Sequence, residues 1–138
     1  MTALVTASAE TIAQFFDLDP MGVVWHGNYA RFLELGRSAL LDKIDYGYAE
    51  MRESGFLWPV IDMHIRYYRP VVLHQAIEIV ASITEWEHRL KIDYLIRDSR
   101  SGQRLSKGSS LQVAVDAKSN EMLWETPAIF RQKLAPYL

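Results

Sequence analysis

The sequence predicts an α+β fold in which one long central helix is wrapped by a curved antiparallel sheet of about five strands. Three observations carry this expectation. Apolar residues at 3–4 spacing run from Tyr29 to Ile44 and reach beyond a single stripe, as in a helix surrounded by other elements. The stretches that follow alternate apolar and polar side chains with the two-residue period of strands. No repeat, low-complexity tract or linker divides the 138 residues, so residues 1–138 read as a single domain.

The first element is a short strand from about Ala9 to Phe16, with Ile12 and the Phe15–Phe16 pair expected to pack. Pro20, Gly22 and Gly27 then punctuate a loop. Asn28 is a suitable N-cap for the long helix, which runs to about Asp45, with Gly47 ending it or marking a turn. Tyr29, Phe32, Leu33, Gly36, Leu40 and Ile44 share one face of that helix, while Arg31, Glu34, Ser38 and Asp42 fall elsewhere. A further helical turn is expected between Tyr48 and Gly55.

Ile61, Met63, Ile65 and Tyr67 then form the drier face of a strand that Pro70 interrupts. Ile77, Ile79, Ala81 and Ile83, followed by Leu90, Ile92, Tyr94 and Ile96, mark two strands of a hairpin with Trp86-Glu87-His88-Arg89 at its tip. Asp98 to Gln103 turns into a last strand from Leu105 to Val115. Thr126 and Pro127 supply an N-cap and first-position proline for a short terminal helix that Pro136 limits.

Composition narrows the chemistry. The formal charge is -2, and no block of Lys and Arg offers the clustered basic surface that nucleic acid requires. Without cysteine, disulfides, thiolate nucleophiles and cysteine-ligated zinc are excluded, leaving carboxylates and histidines. No run of about 18 apolar residues offers a membrane span. The start, MTALVTASAE, has no basic n-region, so a soluble cytoplasmic protein is expected.

The candidate chemistry collects between Asp17 and Arg37, where a polar loop meets a helix start. Such a junction brings carboxylates and an imidazole to the unpaired N–H groups of a first helical turn. Taken singly, Asp17 and Asp19 suit turns beside proline and glycine, and His26 suits a surface hydrogen bond. These three are also oxygen and nitrogen donors, but their spacing matches no metal motif. His-Glu-x-x-His, Gly-x-Ser-x-Gly and Gly-rich phosphate-loop patterns are all absent, and no metal or cofactor is expected.

The whole pattern, Asp-x-Asp-x-x-Gly-Val-Val-x-His followed by Tyr29, Glu34 and Arg37, resembles the 4-hydroxybenzoyl-CoA thioesterase family of the hotdog fold. Within that family it is similar to the bacterial branch of small acyl-CoA thioesterases associated with the Tol-Pal system. Asp17, Asp19, Gly22, Val23, Val24, His26, Tyr29, Glu34 and Arg37 match the motif, and Leu18 departs from it where many relatives carry a small polar residue.

The resemblance implies hydrolysis of a short-chain or aromatic acyl-CoA to free acid and CoA. By it, Asp19 is the catalytic carboxylate, acting as nucleophile or general base, and the helix start at His26 polarises the thioester carbonyl through a backbone N–H. His88 and Arg89 would meet the CoA phosphates, although Glu87 beside them repels phosphate. Asp17 reads as a loop-shaping residue and Glu34 with Arg37 as an ion pair. Trp25, Phe56, Leu57 and Trp58 line an acyl pocket or belong to the core. Pairing of subunits into a continuous sheet, as a homodimer or homotetramer, is also implied. The alternative from another class is a non-catalytic hotdog module that binds acyl-CoA or serves assembly, which would be expected to lack Asp19.

Overall fold

The computed structural model describes residues 3–138. Strand β1, Val5–Ile12, is followed by a 3₁₀ turn at Phe15–Asp17, a second at His26–Asn28, and helix α1, Tyr29–Lys43. A short helix α2, Tyr48–Glu53, and a two-residue strand β2, Phe56–Leu57, lead into β3, Val60–Tyr67. Then come β4, Ala76–Glu85, β5, Leu90–Asp98, and β6, Arg104–Gln112. Strand β7, Val115–Asp116, pairs with β2, and helix α3, Ala128–Leu134, packs near the end of the chain. The main sheet is antiparallel in the order β1-β4-β5-β6-β3, and α1 lies on β1 and β4 with a smaller contact to β5. This long helix against a five-stranded antiparallel sheet is the hotdog fold.

The core follows from the two periodicities. Tyr29, Phe32, Leu33, Leu40 and Ile44 of the helix face are buried, and they meet Ile77, Ile79, Ala81 and Ile83 of β4, all fully buried. Burying each large aliphatic side chain stabilises the fold by about 1.5–3 kcal/mol. Helix α1 ends in a Schellman turn: the Tyr46 N–H donates to the Leu41 carbonyl at 2.9 Å and the Asp45 N–H to the Asp42 carbonyl at 3.0 Å. The left-handed residue is therefore Asp45, at φ 57°, while Gly47 becomes the N-cap of α2.

Four local expectations are corrected. The first strand begins at Val5 and stops at Ile12 rather than running to Phe16, because beyond Ala13 the Asp17 carboxylate takes the Gln14 N–H and the chain closes into a 3₁₀ turn. Phe15 and Phe16 consequently sit in a 3₁₀ turn and are exposed instead of packed. Asn28 holds the expected N-cap position of α1 but makes no side-chain cap bond. It is already helical, and its amide Nδ2 donates to the Asp17 carbonyl at 2.8 Å. Thr126 does not cap α3 either, since its hydroxyl donates to the Trp86 carbonyl at 2.8 Å and ties the terminal segment to the β4–β5 hairpin, leaving Pro127 as the cap. Among the described residues no helix is long and apolar enough to cross a membrane.

Candidate active site

The loop before α1 is a small hairpin. Leu18 bridges Val24, the Asp19 N–H donates to the Val23 carbonyl at 2.8 Å, and the Gly22 N–H donates to the Asp19 carbonyl at 3.0 Å. Pro20 sits at the first corner, and Gly22 takes φ 80°, a left-handed conformation that glycine adopts without steric cost. Asp19 Oδ1 receives the Met21 N–H at 2.8 Å, the local side-chain bond typical of aspartate in a turn. Its other oxygen, Oδ2, has no hydrogen-bond partner among the described residues. The turn thus holds the carboxylate while leaving one oxygen free.

Asp17 is placed differently. It is buried, its Oδ2 receives the Gln14 N–H at 2.9 Å, and its Oδ1 pairs with Arg31. Its carbonyl accepts the Trp25 N–H at 3.0 Å as well as the Asn28 amide. Asp17 therefore pins the loop to the start of α1, the loop-shaping role its turn chemistry suggested. Glu34 and Arg37 form the expected ion pair on α1.

His26 opens the helical run. As the first residues of the 3₁₀ turn, His26 and Gly27 present N–H groups with no acceptor among the described residues. The Tyr67 hydroxyl donates to the His26 carbonyl at 2.8 Å and braces this turn from β3. A side chain on Gly27 would strike the Trp25 ring, whose atoms lie 2.5 Å from the position of a Cβ. Glycine here lets the indole cover the helix start.

Asp19 and His26 line the same pocket of about 270 Å³, together with Tyr29, Tyr67, Tyr68 and Arg69. The Tyr29 and Tyr67 rings meet edge to face at 4.7 Å, and the Tyr29 hydroxyl oxygen receives the Val71 N–H at 3.4 Å. Burial raises both phenols above their ordinary value, for Tyr29 against the opposing effect of the Val71 bond, so both stay protonated and neutral near pH 7. The pocket thus sets the carboxylate of Asp19 and the guanidinium of Arg69 beside His26. Tyr67, Tyr68 and Arg69 are the site residues that motif spacing did not indicate. The one local signal was Pro70, which ends the alternating strand beside them.

His88 and Arg89 lie in a separate cleft of about 450 Å³ at the β4–β5 tip, with Trp86 and Trp124. Arg89 Nε donates to Glu85 Oε2 at 3.0 Å, and His88 Nδ1 is 3.2 Å from the Trp124 carbonyl oxygen. Within one protomer this cleft is at the far end of the sheet from Asp19: Leu90 aligns with Gln112 and Val60, whereas Tyr67 aligns with Ser106 and Ile96. A third pocket, of about 570 Å³, sits at that same far end and is lined by Arg52, Phe56, Leu57, Trp58, Val60 and Gln112. Trp25 does not join it and stands instead beside His26, their ring centroids 5.3 Å apart. Among the described residues no three His, Asp or Glu side chains gather to hold a metal ion.

Residues 13–136 match the family described as the Thioesterase-like superfamily. Among curated proteins, the chain is 29% identical over 111 residues to "Putative acyl-CoA thioesterase YneP" of Bacillus subtilis, covering 80% of each. Solved structures of thioesterases share the fold. The 1,4-dihydroxy-2-naphthoyl-CoA thioesterase Slr0204 of Synechocystis superposes with a TM-score of 0.84 at 19% identity, over 95% of this chain and 96% of that one. The DHNA-CoA thioesterase of Staphylococcus aureus gives 0.79 at 23% identity, over 86% and 80%.

Proposed function

The chain belongs to the thioesterase-like superfamily, and on that premise we propose that it is an acyl-CoA thioesterase in which Asp19 and the helix start at His26 act on opposite sides of the thioester carbonyl. The observation that carries this reading is that Asp19, with a free carboxylate oxygen, and His26, whose N–H has no acceptor among the described residues, line one small pocket. The N–H of His26 donates to the carbonyl oxygen and stabilises the negative charge that develops on it. Asp19 Oδ2 either takes a proton from the attacking water or attacks the carbonyl carbon itself. In both routes the C–S bond breaks with its electron pair on sulfur, and CoA leaves as the thiolate that then gains a proton.

The finer assignment is to the 4-hydroxybenzoyl-CoA type and its Tol-Pal-associated branch, supported by the motif from Asp17 to Arg37. An aromatic acyl group is favoured over a short aliphatic one by the Phe56 and Trp58 lining and by the naphthoyl substrate in the name of a fold neighbour. The proposal includes one domain, a cytoplasmic setting and a homodimer joined along β3. That edge strand exposes Val60, Ile61 and Tyr67 at 40%, 55% and 46%. Exposed apolar edges favour pairing with a second copy. Antiparallel pairing about a two-fold axis reverses the strand, so the Phe56–Trp58 pocket of one copy faces the Asp19 end of the other and can receive the acyl group. The same reversal carries the His88 and Arg89 end of one copy toward the Asp19 end of the other.

Asp19→Asn tests the chemistry. Its amide oxygen can still accept the Met21 N–H, so the melting temperature should hold while kcat for CoA release falls by about 10²–10⁴. Direct attack forms an acyl–Asp19 mixed anhydride that water must open, so ¹⁸O found in Asp19 after a single turnover in ¹⁸O water, from opening at the Asp19 carbonyl, identifies that route. A folded Asp19→Asn protein that cleaves every processed acyl-CoA at the parent rate would overturn the assignment. Tight acyl-CoA binding by the parent without thiol release would instead identify a binding module.

A further inference from the structure

The outer face of β3 and β6 carries a charge arrangement that the hydrolytic site does not use. Arg66 on β3 stands directly opposite Lys107 on β6, and both are exposed. Like charges in that register repel and weaken a strand pair. Neither has a carboxylate within ion-pair distance among the described residues. The contrast with the next like-charge opposition is instructive: Arg97 faces Arg104 across β5 and β6, but Arg97 Nε is neutralised by Glu78 Oε1 at 2.7 Å. Arg104 also has no acidic partner there, and its guanidinium lies 4.4 Å from the centre of the Tyr68 ring, which orients it.

Arg66 and Lys107 line a recess of about 270 Å³ with His64, Tyr68 and Asp93, and Arg104 stands over the Tyr68 ring at its edge. Asp93 is the one carboxylate of the lining, and it stands opposite Ser109 rather than either cation. Tyr68 lines this recess and the Asp19 pocket alike, and Arg69 follows it into the latter. Tyr68 therefore stands between the site and a basic surface whose Arg66 and Lys107 have no carboxylate within ion-pair distance among the described residues. The β4–β5 cleft is the poorer anion site, since Arg89 is held by Glu85, Arg131 contacts Glu125, and Glu87 lines the same cleft.

We propose that Arg66, Lys107 and Arg104 form the platform for the phosphates at the nucleotide end of CoA, with the pantetheine arm crossing the strand end beside Tyr68 and Arg69. This rests on the acyl-CoA reading of the Asp19 site. Charge-assisted bonds to phosphate relieve the Arg66–Lys107 repulsion, and they bind the part of the substrate remote from the reacting carbon. Their loss should therefore raise KM and spare kcat.

The test is the double reversal Arg66→Glu with Lys107→Glu, beside the milder Arg66→Gln with Lys107→Gln and the separate Arg89→Glu. With acyl-CoA, the reversal should raise KM at least about tenfold and change kcat by less than about twofold. With the matching acyl-pantetheine, which has no nucleotide, parent and reversal should behave alike. Added salt should raise the parent's KM toward that of the variant. The Gln pair should move KM in the same direction by less. An unchanged KM, an equal loss with acyl-pantetheine, or a loss that follows Arg89→Glu instead would overturn the platform. Calorimetric titration with CoA itself decides the matter independently of catalysis: if the parent hydrolyses neither thioester the hydrolase reading falls, while weaker CoA binding by the reversal still supports the platform and equal binding still removes it.

Discussion

Strands β3 and β4 carry the same alternation of apolar and polar residues and end in opposite environments. In β4, Ile77, Ile79, Ala81 and Ile83 are fully buried, whereas in β3 Ile61 is 55% and Tyr67 46% exposed, with Met63 and Ile65 only half-buried. Position makes the difference. β4 lies between β1 and β5 beneath α1, while β3 is bonded on one side only, to β6, and meets the helix where Tyr67 packs on Tyr29. Alternation assigns a side chain to a face, and coverage of that face depends on what packs above it. The incompletely covered strand is also the one that lends Tyr67 and Tyr68 to the Asp19 pocket and Arg66 to the basic outer surface.

The sharpest way to break the comparison is to shorten the same side chain in both strands. Ile79→Ala should cost about 2–5 kcal/mol in urea denaturation, the range for emptying a packed core site. Ile61→Ala should leave the stability of the isolated chain within about 0.5 kcal/mol but weaken self-association in sedimentation. Equal costs at the two positions would mean that β3 is covered within one protomer after all.

A smaller effect is expected where α1 touches β4. A Cβ on Gly36 would lie 2.6 Å from Ile79 Cγ2. Alanine there gains about 1 kcal/mol of helix propensity but forces an overpacking cost of about 1–3 kcal/mol. Gly36→Ala should therefore be destabilised overall, and a raised melting temperature would show that the helix can lift from the strand.

The smallest effect concerns titration. On β5, burial first pushes the Tyr94 phenol up to about 12 from 10.0, offset in part by its 2.9 Å bond to the Ser110 hydroxyl. Because the folded value stands above the unfolded one, the stabilisation is complete below pH 10 and declines as pH rises toward 12. Tyr94→Phe should lose about 1 kcal/mol at neutral pH with that hydrogen bond. It should also flatten the alkaline decline in denaturation midpoints, and an unchanged decline would trace it to other groups.

Much of the scaffold was legible because its signals are local. The helix face from Tyr29 to Ile44 and the alternating rows of β4 and β5 are strong apolar patterns, and their residues are buried. The bounds of β1 are weakly marked because its alternation sets Ala7 and Ala9 against Ser8 and Glu10, with little hydrophobic contrast, while the apolar Phe15 and Phe16 lie beyond its end. Asn28 and Thr126 have the chemistry of caps, yet distant carbonyls at Asp17 and Trp86 recruit their side chains. At the site, the junction of Asp19 with His26 was visible as motif spacing. Its completion by Tyr67 was not, since His26 and Tyr67 are 41 positions apart and the contact depends on where β3 lies.

By itself the sequence determined the turn that holds Asp19, the helix start at His26 and the inward faces of α1, β4 and β5, because backbone preference and side-chain periodicity act over a few residues. The tertiary structure alone decided that Asp17 is buried against Arg31, that His88 and Arg89 stand at the opposite end of the sheet, and that Arg66 meets Lys107 beside Tyr68. Those facts depend on strand order and on the reach of one helix across it, which join residues far apart in the chain.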